Sequence, residues 1–62
     1  MTDKQARIEM HVCTRFVRGY LALVWRDGGL EHVSSGGEKR AVRDDAAAFA
    51  ADHGWQYVVE DV

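Results

Sequence analysis

An α+β domain of order β-β-β-α-β, a small antiparallel sheet with one helix packed on one face, is the fold this 62-residue sequence predicts. Three observations carry it. "RIEMHV" (7–12) alternates apolar and polar residues, the pattern of a half-buried strand. "YLALVWR", "DGG" and "LEHVS" (20–34) read as strand, tight turn and strand. "VRDDAAAFAADHG" (42–54) is an alanine-rich helical run closed by glycine, and alanine has the best intrinsic helix propensity.

The elements follow in chain order. In the first strand Ile8, Met10 and Val12 share one face, with Arg7, Glu9 and His11 on the other. Residues 14–19 form a connection whose Phe16 and Val17 could extend either neighbouring strand. "YLALVWR" is rich in aromatic and branched residues, which favour strands. Asp27, Gly28 and Gly29 stand where a hairpin needs positive φ. Residues 35–41, "SGGEKRA", read as a flexible loop, and the helix is expected to begin near 42. "SGGE" (35–38) has capping-box spacing, but its two glycines weaken it. Val42, Ala46, Phe49, Ala50 and His53 make one helical stripe. Asp44 and Asp45 are expected in the first turn, at the positive end of the helix dipole, and Gly54 as the C-terminal cap. "WQYVVED" (55–61) is the last strand, with Trp55, Tyr57 and Val59 on one face.

Length allows a single domain spanning 1–62 and a small core, since a chain of this size buries only about 60% of its unfolded surface. One cysteine, Cys13, excludes an internal disulfide and fits a reducing, cytoplasmic setting. "MTDKQARIEMHV" has no apolar segment of signal-peptide type, and no apolar run is long enough to span a membrane. Net charge is only −2, but its layout is uneven: residues 1–43 carry all eight Lys and Arg, whereas 44–62 carry five acids and none of them.

A helix of about a dozen residues is roughly 18 Å long and covers one face of a small sheet. Placing Leu21, Leu23 and Trp25 with Ile8, Met10, Val12, Trp55, Tyr57 and Val59 under it leaves Tyr20, Ala22, Val24, Val58, His11 and His32 on the open face; the opposite assignment would expose two leucines and a tryptophan and is the less favourable. Arg7 and Arg26 then stand at its rim. Aromatic and aliphatic residues ringed by Arg and His have the composition of a protein interface. The plainer alternative is that residues 1–6 or 14–19 drape over this patch. On this reading Tyr20, Val24, Arg26, His32 and Val58 are candidate partner-binding residues. The acidic Asp44, Asp45 and Asp52 form a second candidate surface, with ordinary solvation of a helix as the alternative.

Catalytic and metal motifs are weak. His11 and Cys13 share a strand face, and His32 could join them, but the C-x-x-C or H-x-x-x-H spacing of zinc sites is missing. No metal or other cofactor is expected. Ser34, Ser35, His32 and several Asp residues could compose a Ser-His-Asp set, yet no G-x-S-x-G elbow surrounds the serines. "SGGEKR" does not fit the phosphate-loop pattern G-x-x-x-x-G-K-[ST]. An enzyme is not expected. Nucleic-acid binding through Arg15, Arg18, Lys39, Arg40 and Arg43 is the alternative function, set against a sequence pI of about 5.8.

The hairpin "LVWRDGGLEHV" and the passage "DDAAAFAADHGWQYVV" together resemble, in size and element order, the small β-β-(β)-α-β proteins of phages and other mobile elements, including anti-CRISPR inhibitors. The resemblance implies a compact protein that occupies a surface on a larger host protein or complex without doing chemistry. It assigns no individual residues. The expected function is therefore a non-enzymatic protein-binding module, inhibitor-like, acting through the open sheet face or the acidic helix, with a homodimer as a further possibility.

Overall fold

The structure, a computed structural model, describes residues 5–13 and 19–62. The element order is as expected: β1 Ala6–Cys13, β2 Gly19–Arg26, β3 Gly29–Gly36, α1 Lys39–Asp52 and β4 Tyr57–Asp61. The connection containing Phe16 and Val17, with Arg15 and Arg18, lies outside the described residues, as do residues 1–4. The four strands form one sheet in the order β3-β2-β1-β4.

β1–β2 and β2–β3 are antiparallel, whereas β4 runs parallel to β1. The chain direction requires this mixture. β3 points the same way as β1, and the chain must cross the sheet through α1 to reach β1's free side, as parallel strands need a crossover. Asp27 and Gly28 have φ of 55° and 78° between the paired Arg26 and Gly29. They are the two central residues of a tight hairpin whose backbone twist matches its strands.

The helix begins at Lys39, three residues before its expected start, and "SGGEKRA" is not a loop throughout, because β3 runs to Gly36. Glu38 is the extended N-cap residue and makes no side-chain cap; its carbonyl accepts from the Val42 N–H at 3.1 Å. Asp44 and Asp45 consequently lie beyond the first turn, which holds Lys39 and Arg40 instead. That polarity opposes the helix dipole. Lys39 Nζ meets Asp61 Oδ1 at 3.1 Å and offsets part of the conflict.

The C-terminal end follows expectation. The Gly54 N–H donates to the Ala51 carbonyl at 2.9 Å and the Trp55 N–H to the Ala50 carbonyl at 3.0 Å. With Gly54 at φ 71°, this is the paired-bond arrangement that satisfies carbonyls at a helix end. Trp55 therefore belongs to the cap and not to β4, and packs against the core.

α1 buries Val42, Ala46 and Ala50 on Ala6, Ile8 and Met10 of β1 and Ala22 and Val24 of β2. Its main contacts are with β3, β2 and β1, so the helix side of β4 stays largely uncovered. Among the described residues no helix is long and apolar enough to cross a membrane.

The arrangement of β2 differs from expectation. Directly opposed residues of an antiparallel ladder share a face. Ile8 opposes Val24 and Met10 opposes Ala22, so Val24, fully buried at 0% exposure, lies under the helix with β1's apolar row. Leu21, Leu23 and Trp25 are on the far side. Tyr20 shares Val24's side, and so does His32, Val24's partner on β3. The alanines of α1 bring the helix close to the sheet, and the small or branched side chains of β2 fit that narrow layer. The expectation that Tyr20, Ala22, Val24 and His32 belong to the open face is thereby overturned.

Candidate protein-binding face

The sheet surface away from the helix is built in rows. β1 supplies Arg7, Glu9 and His11, and β2 supplies Trp25, Leu23 and Leu21 opposite them in that order. β3 adds Val33 opposite Leu23 and, past a register shift, Leu30 opposite Trp25. β4 adds Val58 beside Arg7 and Glu60 beside Glu9. Leu30 and Val33 are exposed, and the β2 row is half-buried.

Polar and apolar rows are joined at Glu9. Trp25 Nε1–H donates to Glu9 Oε1 at 2.9 Å, Arg7 meets Glu9 Oε2 at 3.0 Å, and His11 Nε2 lies 3.4 Å from Oε1. Partial desolvation pushes this carboxyl upward. The hydrogen bonds of His11 and Trp25 and the charges of Arg7 and His11 outweigh it and hold Glu9 below the usual carboxylate range. The result is a fixed indole, its polar edge satisfied, at the hairpin end of an apolar strip. Arg7 also reaches Glu60 at 3.7 Å, which ties β4 to the same polar row. A shallow cavity of about 380 Å³ opens at the Trp25 end, lined by Gln5, Arg7, Trp25, Arg26, Asp27 and Gly28.

The sequence-predicted site residues are scattered over both sides of the sheet. Val58 and His11 lie on the open face as expected. Arg26, expected at the rim of the open face, instead shares Val24's side of β2, with its guanidinium carbon 4.6 Å from the centre of the Trp55 ring. Its Nε is buried without a hydrogen-bond partner, a cost partly offset by the cation–π contact. Asp44 and Asp52 are exposed on α1, away from the open face, and Asp45 is engaged with β3. Lys39, Arg40 and Arg43 are exposed on the N-terminal half of the helix, with Lys39 bound to Asp61.

On the covered side, Ser34, His32 and Asp45 do meet. The Ser34 hydroxyl donates to Asp45 Oδ2, and His32 Nε2 lies 3.0 Å from Ser34 Oγ and 3.2 Å from Asp45 Oδ2. In a nucleophilic triad the acid holds one imidazole nitrogen while the other takes the serine proton. Here serine and carboxylate converge on the same nitrogen, and the serine proton is already given to the acid. No relay is available, and the cluster is a clasp between β3 and α1. The His32 ring stacks on Phe49 with centroids 4.3 Å apart, and His53 and Trp55 continue the aromatic group.

The Ser34 hydroxyl, then His32, hold the Asp45 carboxyl below the usual range. A carboxyl whose folded pKa is depressed contributes stability above its unfolded pKa, about 4, and that contribution disappears as pH falls through the folded value. Glu9 acts in the same sense. The melting temperature is therefore expected to fall as pH drops below about 4, and Asp45→Asn combined with Glu9→Gln should flatten that acid limb. Thermal melts between neutral pH and pH 2 check this; an equally steep limb in the double variant would refute it.

The H-x-C pair and His32 do not converge. His11 is on the open face, hydrogen-bonded to Glu9, while His32 stacks on Phe49 across the sheet. Among the described residues no group of three His, Cys, Asp or Glu is placed to hold a metal. What sequence reasoning missed is the row Leu21, Leu23, Trp25, Leu30 and Val33. The available signal was the alternation of β1, which fixes its inward face; the cross-strand register that transfers this to β2 is not written locally.

No protein-family model matches the chain, and no curated protein or solved structure matches it.

Proposed function

We propose that this chain is a non-enzymatic protein-binding module, inhibitory in mode, that docks on a larger protein through the open face of its sheet. The carrying observation is the apolar row Leu21–Leu23–Trp25 with Val33 and Leu30, lying beside the charged row Arg7–Glu9–His11 on the side the helix leaves free. Interfaces concentrate binding energy in Trp and Arg anchors surrounded by apolar contacts. Trp25 is held in place by Glu9, so little side-chain entropy remains to be lost on docking. Glu9 in turn carries its own Arg and His partners, which lowers the cost of covering it. The likeness to small mobile-element inhibitors in size and element order supports this mode of action and names no partner.

Leu23→Glu tests the proposal. It introduces a charge in the middle of the row, and the expected loss is at least thirty-fold in affinity for a captured partner, about 2 kcal/mol at a hot spot. The variant should retain the wild-type melting temperature within a few degrees. Quantitative capture by immobilised wild type and variant reads this directly. Equal capture by both would overturn the open face as the docking surface. Retention on generic DNA or RNA that falls with salt, and disappears in Arg40→Ala combined with Arg43→Ala, would instead select the basic cluster.

A further inference from the structure

We propose that two copies of this chain pair through β4, joining their sheets into one continuous eight-stranded sheet. The need for a second copy begins in the core. Among the described residues, half of the buried apolar side chains are alanines (Ala6, Ala22, Ala46 and Ala50), and only Ile8 and Val24 are larger side chains buried completely. Small domains supplement such a core with disulfides, metal or association. The single cysteine rules out an internal disulfide, and no metal-holding cluster exists among the described residues. Of these three, association is the one the described residues leave.

The edge that fits it is β4, a terminal strand of the sheet. Tyr57, Val58 and Val59 are 39%, 41% and 39% exposed, and Val62 is 72% exposed. Two bonds at its ends fix its polarity: the Ala6 N–H donates to the Gln56 carbonyl at 2.7 Å, and the Val62 N–H to the Met10 carbonyl at 3.0 Å. Backbone groups alternate sideways along a strand. Even-numbered residues of β4 thus bond β1, and the N–H and C=O groups of Tyr57, Val59 and Asp61 point outward. The other edge, β3, carries a register irregularity, a bulge-type device that discourages edge pairing. The register of β4 is regular.

A two-fold axis through Val59, normal to the sheet, satisfies all of these outward groups. Val59 then faces its counterpart, Tyr57 faces the partner's Asp61, and Val58 faces the partner's Glu60. No carboxylate opposes another. Each edge acid is also paired within its own chain, Asp61 with Lys39 at 3.1 Å and Glu60 with Arg7 at 3.7 Å. Like charges facing across a ladder would destabilise it, and this register avoids them. Both helices fall on one side and both open faces on the other, giving a partner two docking strips.

Light scattering after gel filtration, over a range of concentrations, tests the pairing together with Val59→Pro. The wild type is expected at twice the chain mass of 7.0 kDa. Proline removes an N–H that β1 does not use, a substitution an edge strand tolerates. It should raise the dissociation constant at least ten-fold, about 1.4 kcal/mol, without loss of the circular dichroism of the fold. Amide exchange on the wild type decides the matter even if the variant fails to fold: Tyr57, Val59 and Asp61 should be protected like Val58 and Glu60. A wild-type monomer at every concentration, or rapid exchange confined to the odd-numbered amides, overturns the proposal. So does a dimer that survives Val59→Pro and is lost in Leu23→Glu, which would place the contact on the open faces.

Discussion

Val24→Glu is expected to unfold the domain. Val24 is fully buried on β2 beneath α1, in the cluster with Ile8, Met10, Ala22 and Ala46, and its cross-strand neighbour His32 is already engaged with Ser34 and Asp45. Burying an ionised group without a partner costs several kcal/mol, and neutralising it at pH 7 is costly as well. Against a total stability of roughly 5–15 kcal/mol for ordinary domains, with a 62-residue chain at the low end, that is enough to abolish the folded state. Loss of the cooperative melt and of near-ultraviolet dichroism would show it. A wild-type melt would mean that the helix covers the other face of β2. The same substitution on Leu23, one residue earlier and on the opposite face, is expected to spare the fold, so the two variants together read the register directly.

Ile8→Ala should have the next largest effect. Ile8 is fully buried on a strand hydrogen-bonded on both sides, between β2 and β4. Truncation leaves a cavity that the alanine-lined helix cannot fill by small shifts, because its own side chains are already short. Large-to-small changes of this kind cost about 2–5 kcal/mol. In a domain this small, that lowers the melting temperature by about 10 °C or more. Leu21→Ala, on the open face, removes a similar side chain and should cost much less. Thermal denaturation of the two variants side by side is the check; equal losses would show that both faces of the sheet are covered.

The element order was legible because its signals are local. Alternation in Arg7–Val12, the Asp-Gly pair at the hairpin and the glycine after the alanine run each act within a few residues. The helix start was not legible. Lys39 and Arg40 occupy positions where acids normally announce a helix, and the real N-cap, Glu38, makes no side-chain bond. The inward face of β2 was misjudged for a different reason. Minimising exposed apolar area favoured Leu21, Leu23 and Trp25 inside, but the ladder with β1 and the thin alanine layer of α1 decide otherwise. Both are tertiary facts. A one-residue slip in register exchanges every side chain between faces, and the candidate binding row changed with it. The Ser34–His32–Asp45 clasp was legible only as a set of residue types; that serine and acid share one imidazole nitrogen is purely geometric.

The pairing of β4 with β1 has a consequence during synthesis. β1 lies between β2 and β4, yet the strand that closes its second side is formed by residues 57–61, long after β1 itself has been made. Throughout that interval a nascent chain displays β1's free edge, with Ile8 and Met10 still incompletely covered. Unpaired edges of this sort attract other chains. The charged side chains Arg7 and Glu9, interleaved with the apolar ones, are of the kind that discourages such capture until the final strand arrives.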